Sequence, residues 1–479
     1  MNDVIDAKIK LDRKLKNLIE GEWVDSKNKI EVTNPYTNEI IGTVPQMGIE
    51  QVKTAIDALY NYQPTLTAYQ RSEILKGTAT EVKLKIDELA YGISLESGMS
   101  IKDSMKEVGR SINLLNVAAE EAKRIIGEQL PSDIDLSGTD KIIMAMRFPV
   151  GLISAIVPFN RPLNQVVVKV APGFAAGNKI IIKPTERTPL SAIRFVQIML
   201  NNGLPSKMIS IVTGKSSEIG NELVSNQKID MVTFTGSTEI GRKLSNIAGI
   251  KKLTMELGGN DPLIVLEDGD LDKAVKLASI GAYSNAGQAC RGIKRIIVIE
   301  SIADVFAKKL KDETEKITCG DPFDPKTTIG TIIDENAAIE VENAVKEAIA
   351  DGAKVLCGNK REGALFIPTV VDHVKHDSAM VLNETFGPIA PIIRVKNLEE
   401  ACRIANQTEF GLQSGIVTNN LENIRYCIKN LKMGAVNINE GPHHDMPNIP
   451  FGGVKQSGIG REGIRYAIQE MTYIKCVVM

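Results

Sequence analysis

The spacing of apolar positions changes character part-way along the chain. Between Gln70 and Leu95 the residues Ile74, Ala79, Val82, Ile86 and Leu89 recur at helical intervals. Between Ser104 and Ile126, Met105, Val108, Ile112 and Leu115 form a narrow apolar stripe. The first quarter therefore reads as two amphipathic helices, separated at Gly98. From Gly151 the repeat becomes one of short β-branched runs alternating with amphipathic stretches. Leu152–Val157, 180–182, 208–212 and Met231–Thr235 read as strands. A helix is expected to start at Thr188-Pro189, where Thr caps and Pro suits the first turn, and to stop at Asn202-Gly203. Another starts at Ser237 and runs past Arg242. Such alternation implies parallel strands joined by right-handed crossovers, a doubly wound α/β sheet.

The chain turns at Gly258-Gly259, where we place a domain boundary, and a second alternating stretch follows. It has strands at 263–266 and 296–299 and helices at 271–282 and 302–317. The tail, 472–478, is apolar and strand-like. An unpaired strand at a chain end invites aggregation, so it is expected to join a sheet, with a neighbouring subunit as one place to find it.

At 479 residues the chain is long enough for two or three domains. Hydrophobic residues make up 43% and charged residues 24%, the balance of an ordinary globular enzyme. A net charge of −2 gives no electrostatic reason for a nucleic-acid or anionic-membrane partner, so an anionic ligand has to be met by a few local cations. Cys290, Cys319, Cys357, Cys402, Cys427 and Cys476 are scattered without paired spacing. That argues against a disulfide framework or a zinc site and for a reducing compartment. Residues 1–6 carry acids and no apolar core, and no apolar run approaches the roughly 18 residues that span a bilayer. A cytoplasmic protein without a metal or membrane partner is expected.

Cys290, in Asn285-Ala286-Gly287-Gln288-Ala289-Cys290-Arg291, and Glu256, in Met255-Glu256-Leu257-Gly258-Gly259-Asn260, are a thiol and a carboxylate framed by small residues. They are a candidate nucleophile and base, with Arg291 and Lys294 available to lower the thiol pKa. Taken singly, a cysteine is more often apolar filler and a glutamate an ordinary acid; the joint framing marks them. Pro158-Phe159-Asn160-Arg161-Pro162-Leu163-Asn164 follows a strand, and the Asn160 amide suits a developing oxyanion. Without context, an Asn serving a turn between two prolines is the plainer reading.

Thr235-Gly236-Ser237-Thr238-Glu239-Ile240-Gly241 opens a helix after a strand and offers amides to a phosphate, but it lacks the three-glycine signature and is as readily a tight turn. Ile181-Ile182-Lys183-Pro184-Thr185-Glu186 ends a strand, where Lys183 and Glu186 would reach ribose hydroxyls, or simply meet solvent. A carboxylate there repels a 2′-phosphate and leans towards NAD over NADP. Asn383-Glu384-Thr385-Phe386-Gly387-Pro388 offers an acid for a ribose and a ring for a nicotinamide, or a loop with one core Phe. The dense glycines of 450–460 suit a tightly packed loop near a site, or a merely structural one.

In this order and spacing the set resembles the NAD(P)-dependent aldehyde dehydrogenase superfamily, from about Asn17 to Tyr473. The resemblance implies Cys290 as nucleophile, Glu256 as general base and Asn160 as oxyanion donor. It puts Pro158, Lys183, Glu186, Gly236, Ser237, Gly241, Leu257, Glu384 and Phe386 around the cofactor, NAD preferred and NADP possible. It implies a Rossmann-like NAD(P)-binding domain (1–126 and 147–258), an α/β catalytic domain (259–460) and a small β oligomerisation arm (127–146 and 461–479), in a homodimer or homotetramer. The implied reaction adds the thiolate to an aldehyde, passes hydride to the nicotinamide, and hydrolyses the thioester with water activated by Glu256. Asn260-Asp261-Pro262-Leu263-Ile264-Val265 and Pro162-Leu163-Asn164-Gln165 look most like the phosphonoacetaldehyde, lactaldehyde and glyceraldehyde dehydrogenase branches.

Arg161 after Asn160 and Arg291 after Cys290 depart from the family's more usual residues. With Arg110 and His443-His444 they are candidate cations for a short aldehyde with an anionic or hydroxylated tail. Bracing the backbone or another acid is an equally open role for the two arginines. No ligand set is spaced around the histidines as a metal site requires. Three rival functions weigh less. A CoA-acylating dehydrogenase would not need Glu256. A non-catalytic scaffold would not need Cys290, Glu256 and Asn160 together. A redox-sensing thiol would want a resolving cysteine near Cys290.

Overall fold

Strands buried on both faces need apolar residues at nearly every position, which is why they read as continuous runs. In the computed structural model, which describes residues 11–138, 140–442 and 446–479, these runs build a parallel sheet. Its strands are β1 (Leu152–Val157), β2 (Lys179–Pro184), β3 (Ile209–Ile211), β4 (Met231–Thr235) and β5 (Lys252–Glu256), side by side as β3-β2-β1-β4-β5. Antiparallel strands cover both edges: Asn17–Ile19 and Glu22–Val24 beyond β3, and Gly458–Ile459 beside β5. The chain moves outward from β1 to β2 and β3, then returns to set β4 on the other side of β1. That reversal opens a crevice at the carboxyl ends of β1 and β4, where such sheets bind ligands.

A second sheet has seven strands in the order Lys354–Cys357, Thr369–Asp372, Ile389–Val395, Ile293–Ile299, Asp261–Val265, Gln413–Val417 and Ala435–Ile438. All run parallel except the first. Two buried cores pack on the first sheet, one including Val166, Val170 and Phe195 and one including Val52, Ile56 and Val232, and a third, including Ile264, Ile297 and Phe306, packs on the second. The expected α/β class holds. The tail Thr472–Val478 finds its partner within the chain. It pairs antiparallel with Ile143–Pro149, which pairs in turn with Glu128–Leu130. No helix among the described residues is long and apolar enough to cross a membrane.

Several details differ from the sequence reading. The stretch expected as one helix over 70–95 is two, α1 (Ala68–Leu84) and α2 (Ile86–Ser97), because Lys85 leaves helical geometry at φ −101° and ψ 21°. Gly98, at φ 71°, ends α2 in the left-handed conformation that only glycine adopts cheaply. After it, α3 (Ile101–Glu121) begins under a Ser100 cap. The loop after β1 leads into α4 (Asn164–Ala175). The Leu190–Asn201 helix has no Thr188 cap; instead the buried Glu96 carboxylate accepts the N–H groups of Leu190 and Ser191, each at 2.8 Å. Gly458–Ile459, read from sequence as part of the second unit, is an edge strand of the first sheet, with Gly458 opposite Glu256.

Candidate active site

Glu256 closes β5 opposite Thr235, the last residue of β4, so the acid stands at the crevice edge of the sheet. Gly236 donates its N–H to the Glu256 carbonyl at 3.1 Å. The Ser237 hydroxyl then caps α5 (Thr238–Ala248), accepting from the Ile240 amide at 3.3 Å. One turn in, a Cβ on Gly241 would meet Leu257 Cδ2 at 2.4 Å, so glycine lets the helix lie directly on the residue after the acid.

Cys290 arrives from the other sheet. The loop leading to it holds three consecutive left-handed residues, Asn285 (φ 54°), Ala286 (φ 53°) and Gly287 (φ 74°). A non-glycine residue there costs of order 1–3 kcal/mol, so the surroundings must enforce it. They do. Asn285 gives its backbone N–H to Asp103 Oδ2 (3.3 Å) and its amide to the Asn160 carbonyl (2.8 Å). Gln288 Oε1 accepts from Ile333 (2.8 Å), and the Lys294 ammonium donates to the Gly287 carbonyl. A Cβ on Gly259 would come within 2.1 Å of the Cys290 carbonyl oxygen. The small residues framing Cys290 and Glu256 thus permit backbone-on-backbone contact between the two motifs.

Asn160, Thr235, Glu256, Cys290, Glu384 and Phe386 line one cavity of about 420 Å³. Asn160 and Cys290 also border a smaller cavity of about 70 Å³, whose wall carries Arg110, Arg161 and Arg291. Both Glu256 oxygens are buried without a hydrogen bond. Burial pushes this carboxyl up to about 8, reinforced by the Glu462 charge and opposed by the adjacent Cys290 thiol and by Lys169. Burial and the Glu256 carboxylate push the thiol well above its ordinary value; Arg291 pulls the other way and does not prevail. The expected lowering of the thiol by Arg291 and Lys294 is therefore not what the resting site has. Lys294 is itself held down at about 8 by burial, and its ammonium lies 5.2 Å from the centre of the Phe386 ring. Asn160 donates one amide N–H to the Gln288 carbonyl at 3.0 Å, which fixes the amide plane and leaves a second N–H on the same nitrogen.

The sequence model of the aldehyde dehydrogenase family matches residues 23–477. The chain belongs to the aldehyde dehydrogenase family. This aldehyde dehydrogenase is 38% identical over 468 residues to a lactaldehyde dehydrogenase of Methanococcus aeolicus, spanning 96% of this chain and 99% of that one. It is 38% identical over 465 residues to a 3-sulfolactaldehyde dehydrogenase of Priestia aryabhattai, spanning 96% and 97%. The solved glyceraldehyde-3-phosphate dehydrogenase GapN of Methanocaldococcus jannaschii, complexed with NADP, superposes with a TM-score of 0.91 at 40% identity, over 95% of this chain and 100% of that one.

In this aldehyde dehydrogenase, Gly236, Ser237, Leu257, Glu384 and Phe386 share the large cavity wall with Cys290. Glu384 accepts from the Gly259 amide at 3.3 Å, and burial, opposed by Lys294, raises its carboxyl to about 7. Phe386 stands edge-on to Phe159, ring centres 6.0 Å apart. Pro158, Lys183 and Glu186 follow or end β1 and β2 at the same edge of the sheet, outside that wall. Lys183 reaches Ser216 Oγ (2.6 Å) and Glu186 (3.3 Å), and Glu186 accepts the Ser216 hydroxyl at 2.9 Å. His443, with His444, lies outside the described residues.

Sequence reasoning missed three buried charged residues. Lys169 on α4 pairs with Glu462 at 2.6 Å, and Glu462 acts on Glu256. Glu107 on α3 sits behind the arginines of the smaller cavity. Only Lys169 had a signal, a lysine inside the run Val166-Val167-Val168-Lys169-Val170.

Proposed function

We propose that the enzyme oxidises a short aldehyde with a hydroxylated or anionic tail to its carboxylic acid, through a thiohemiacetal and a thioester on Cys290. What carries this reading is that Cys290 and Asn160 border two cavities at once, a large one at the ligand edge of the sheet and a small one walled by three arginines. The aldehyde group would meet the thiol with its tail towards the arginines. The Cys290 sulfur adds to the carbonyl carbon while its proton passes to Glu256, whose raised pKa suits that exchange near neutrality. The second Asn160 N–H and the Cys290 backbone N–H hold the oxyanion. Once the thioester has formed, Glu256 gives the thiol's proton up to solvent; it then draws a proton from a water whose oxygen attacks the thioester carbon, and that proton returns to the sulfur as the C–S bond breaks and the acid leaves.

The large cavity fits a dinucleotide. Asn160 Oδ1, Thr235 Oγ1 and both Glu256 oxygens are buried polar atoms on its wall without partners. Gly236 and Ser237 ahead of α5 would hold phosphate, with Gly241, whose N–H is spent on the Ser237 carbonyl, letting the helix pack on Leu257. Glu384 would hold a ribose, Leu257, Phe386 and Pro158 the nicotinamide end, and Lys183 with Glu186 the far ribose. When bound, the nicotinamide is the hydride acceptor. The Glu186 carboxylate supports NAD over NADP, although the GapN relative was solved with NADP. The unpartnered base beside the thiol supports hydrolysis rather than acyl transfer to CoA. The relatives are named for lactaldehyde, 3-sulfolactaldehyde and glyceraldehyde-3-phosphate, each small and polar, two of them anionic. We assign 1–126 with 147–258 to cofactor binding, 259–460 to catalysis, and 127–146 with 461–479 to oligomerisation, as a dimer or tetramer. Exposed Ile134, Leu136, Ile142 and Ile474 on the arm support the last.

The test is reduced-nicotinamide formation with NAD or NADP and each of phosphonoacetaldehyde, succinic semialdehyde, lactaldehyde and hexanal. The small polar aldehydes should have the higher kcat/KM. Hexanal having much the highest value overturns the substrate class.

A further inference from the structure

Glu107 lies on α3 one turn before Arg110 and is completely buried. One oxygen, Oε1, accepts the backbone N–H groups of Leu163 (2.9 Å) and Asn164 (3.1 Å), where the chain enters α4. The other, Oε2, is buried without a hydrogen bond and lies 4.0 Å from Arg161 Nη1. Arg161 Nη1 also approaches Met99 Sδ at 3.6 Å. Arg161 and Arg110 both line the small cavity beside Cys290, and Glu107 sits behind them, off its wall. Capping two amides needs only a neutral oxygen, so a carboxyl group here, with desolvation to overcome, calls for a further role.

Other charges on the elements packed against α3 are turned elsewhere. On α1, Arg71 donates to the Ala175 and Leu66 carbonyls, Glu81 accepts from Asn201 and Asn202, and Glu73, Lys76 and Lys83 face solvent. On α2, Glu96 holds the Leu190 and Ser191 amides, Asp87 faces solvent and Glu88 acts on Arg194. On α4, Lys169 holds Glu462, and the Ile464–Glu470 helix turns Arg465 to solvent. On α3 itself, Asp103 is occupied by Lys106 and Asn285. The charges that act on Glu107 are Arg161 first and Arg110 after it.

We propose that Glu107 is a specificity-determining residue that sets how much positive charge Arg161 and Arg110 present to the tail of an anionic aldehyde. Protonated, it lets the substrate's anion take that charge; ionised, it competes for it. The inference rests on the anionic-tail reading above. Burial, against the two arginines, raises this carboxyl to about 7, so both forms are populated near neutral pH. An arriving anion adds a second negative group beside the same arginines and favours the protonated acid. Binding of an anionic aldehyde therefore takes up a proton, and its KM rises as pH climbs through about 7, while that of a neutral aldehyde does not.

The experiment compares succinic semialdehyde, ionised throughout, with butanal between pH 6 and 9, on wild type and Glu107→Gln. The readout is the ratio of the two kcat/KM values, in which titration of Glu256 and Cys290 cancels. In wild type the ratio should fall about tenfold from pH 6 to pH 8.5, one pKa unit of coupling. In Glu107→Gln, which keeps an oxygen for the Leu163 and Asn164 amides, it should be flat and as high as the acidic limit of wild type. A pH-independent ratio in wild type overturns the proposal whether or not the variant folds, as does a variant that keeps the wild-type fall. If wild type never favours succinic semialdehyde over butanal at any pH, the anionic-tail reading itself fails, and this inference with it.

Discussion

Gly259→Ala should disable the enzyme through its nucleophile rather than its stability. Gly259 is not in the left-handed region, so alanine fits the backbone, and only its Cβ matters. That atom would stand 2.1 Å from the Cys290 carbonyl oxygen and 3.1 Å from Leu412 Cδ2, where real contacts under 3.0 Å are essentially never seen. About 1 Å has to be found. The Cys290 side cannot yield freely, because Asn285 and Gln288 tie its loop to Asn160 and Ile333, and Lys294 holds the loop's Gly287 carbonyl. A misplacement of about 1 Å at a reacting centre lowers the rate about a hundredfold, or about 2.7 kcal/mol of barrier. We expect kcat to fall by that factor with little change in dinucleotide KM, measured by reduced-nicotinamide absorbance alongside a melting curve. Gly258→Ala is the companion: its Cβ would meet Glu384 Oε2 at 2.5 Å, so it should raise dinucleotide KM instead. A folded Gly259→Ala enzyme with wild-type kcat refutes the reasoning.

Glu256→Gln removes the carboxylate that raises the Cys290 thiol, so the thiol can ionise to solvent and still acylate; kcat should fall by about 10²–10⁴ and steady turnover become a burst of reduced nicotinamide, visible by stopped flow. Because the base must be ionised to act, and burial with Glu462 raises it to about 8, kcat of wild type should fall as pH drops below about 8 and level above it. Glu462→Gln removes a raising charge and should shift that inflection to lower pH, which a pH–rate profile checks. Asn160→Ala should lower kcat by about 10²–10³, as loss of one oxyanion donor does elsewhere, with a stability loss of only about 1 kcal/mol from the missing bond to the Gln288 carbonyl. Arg295→Met leaves the carbonyls of Asn260, Ile404 and Ala405 without a buried donor now at 2.9 Å from each, and should cost about 3–5 kcal/mol in denaturant unfolding.

The strands Leu152–Val157 and Met231–Thr235 were legible because burial on both faces writes an unbroken apolar run. The α1–α2 break at Lys85 was not, since residues on both sides suit a helix and the kink answers to packing between helices. The cap of the Leu190–Asn201 helix was misread for a similar reason: its acceptor, Glu96, lies far back in the chain. In the site, Cys290 and Glu256 stood out through their small neighbours, whose purpose is visible in the contacts of Gly259 and Gly287; Asn160, between two prolines, stood out only in the order and spacing of the whole set. Lys169, Glu462 and Glu107 did not, because a buried charge and a surface charge are written with the same letter. Only the fold brings Glu462 to Lys169, and Glu107 behind Arg161.

Intact-mass spectrometry of Glu256→Gln, mixed with dinucleotide and succinic semialdehyde and quenched within the burst, tests the covalent route most directly. The account predicts one adduct per chain, of the aldehyde's mass less two hydrogens, mapped by peptide digestion to Cys290 and absent from Glu256→Gln/Cys290→Ala. An unmodified chain while reduced nicotinamide forms, or the same adduct on another residue, would contradict it.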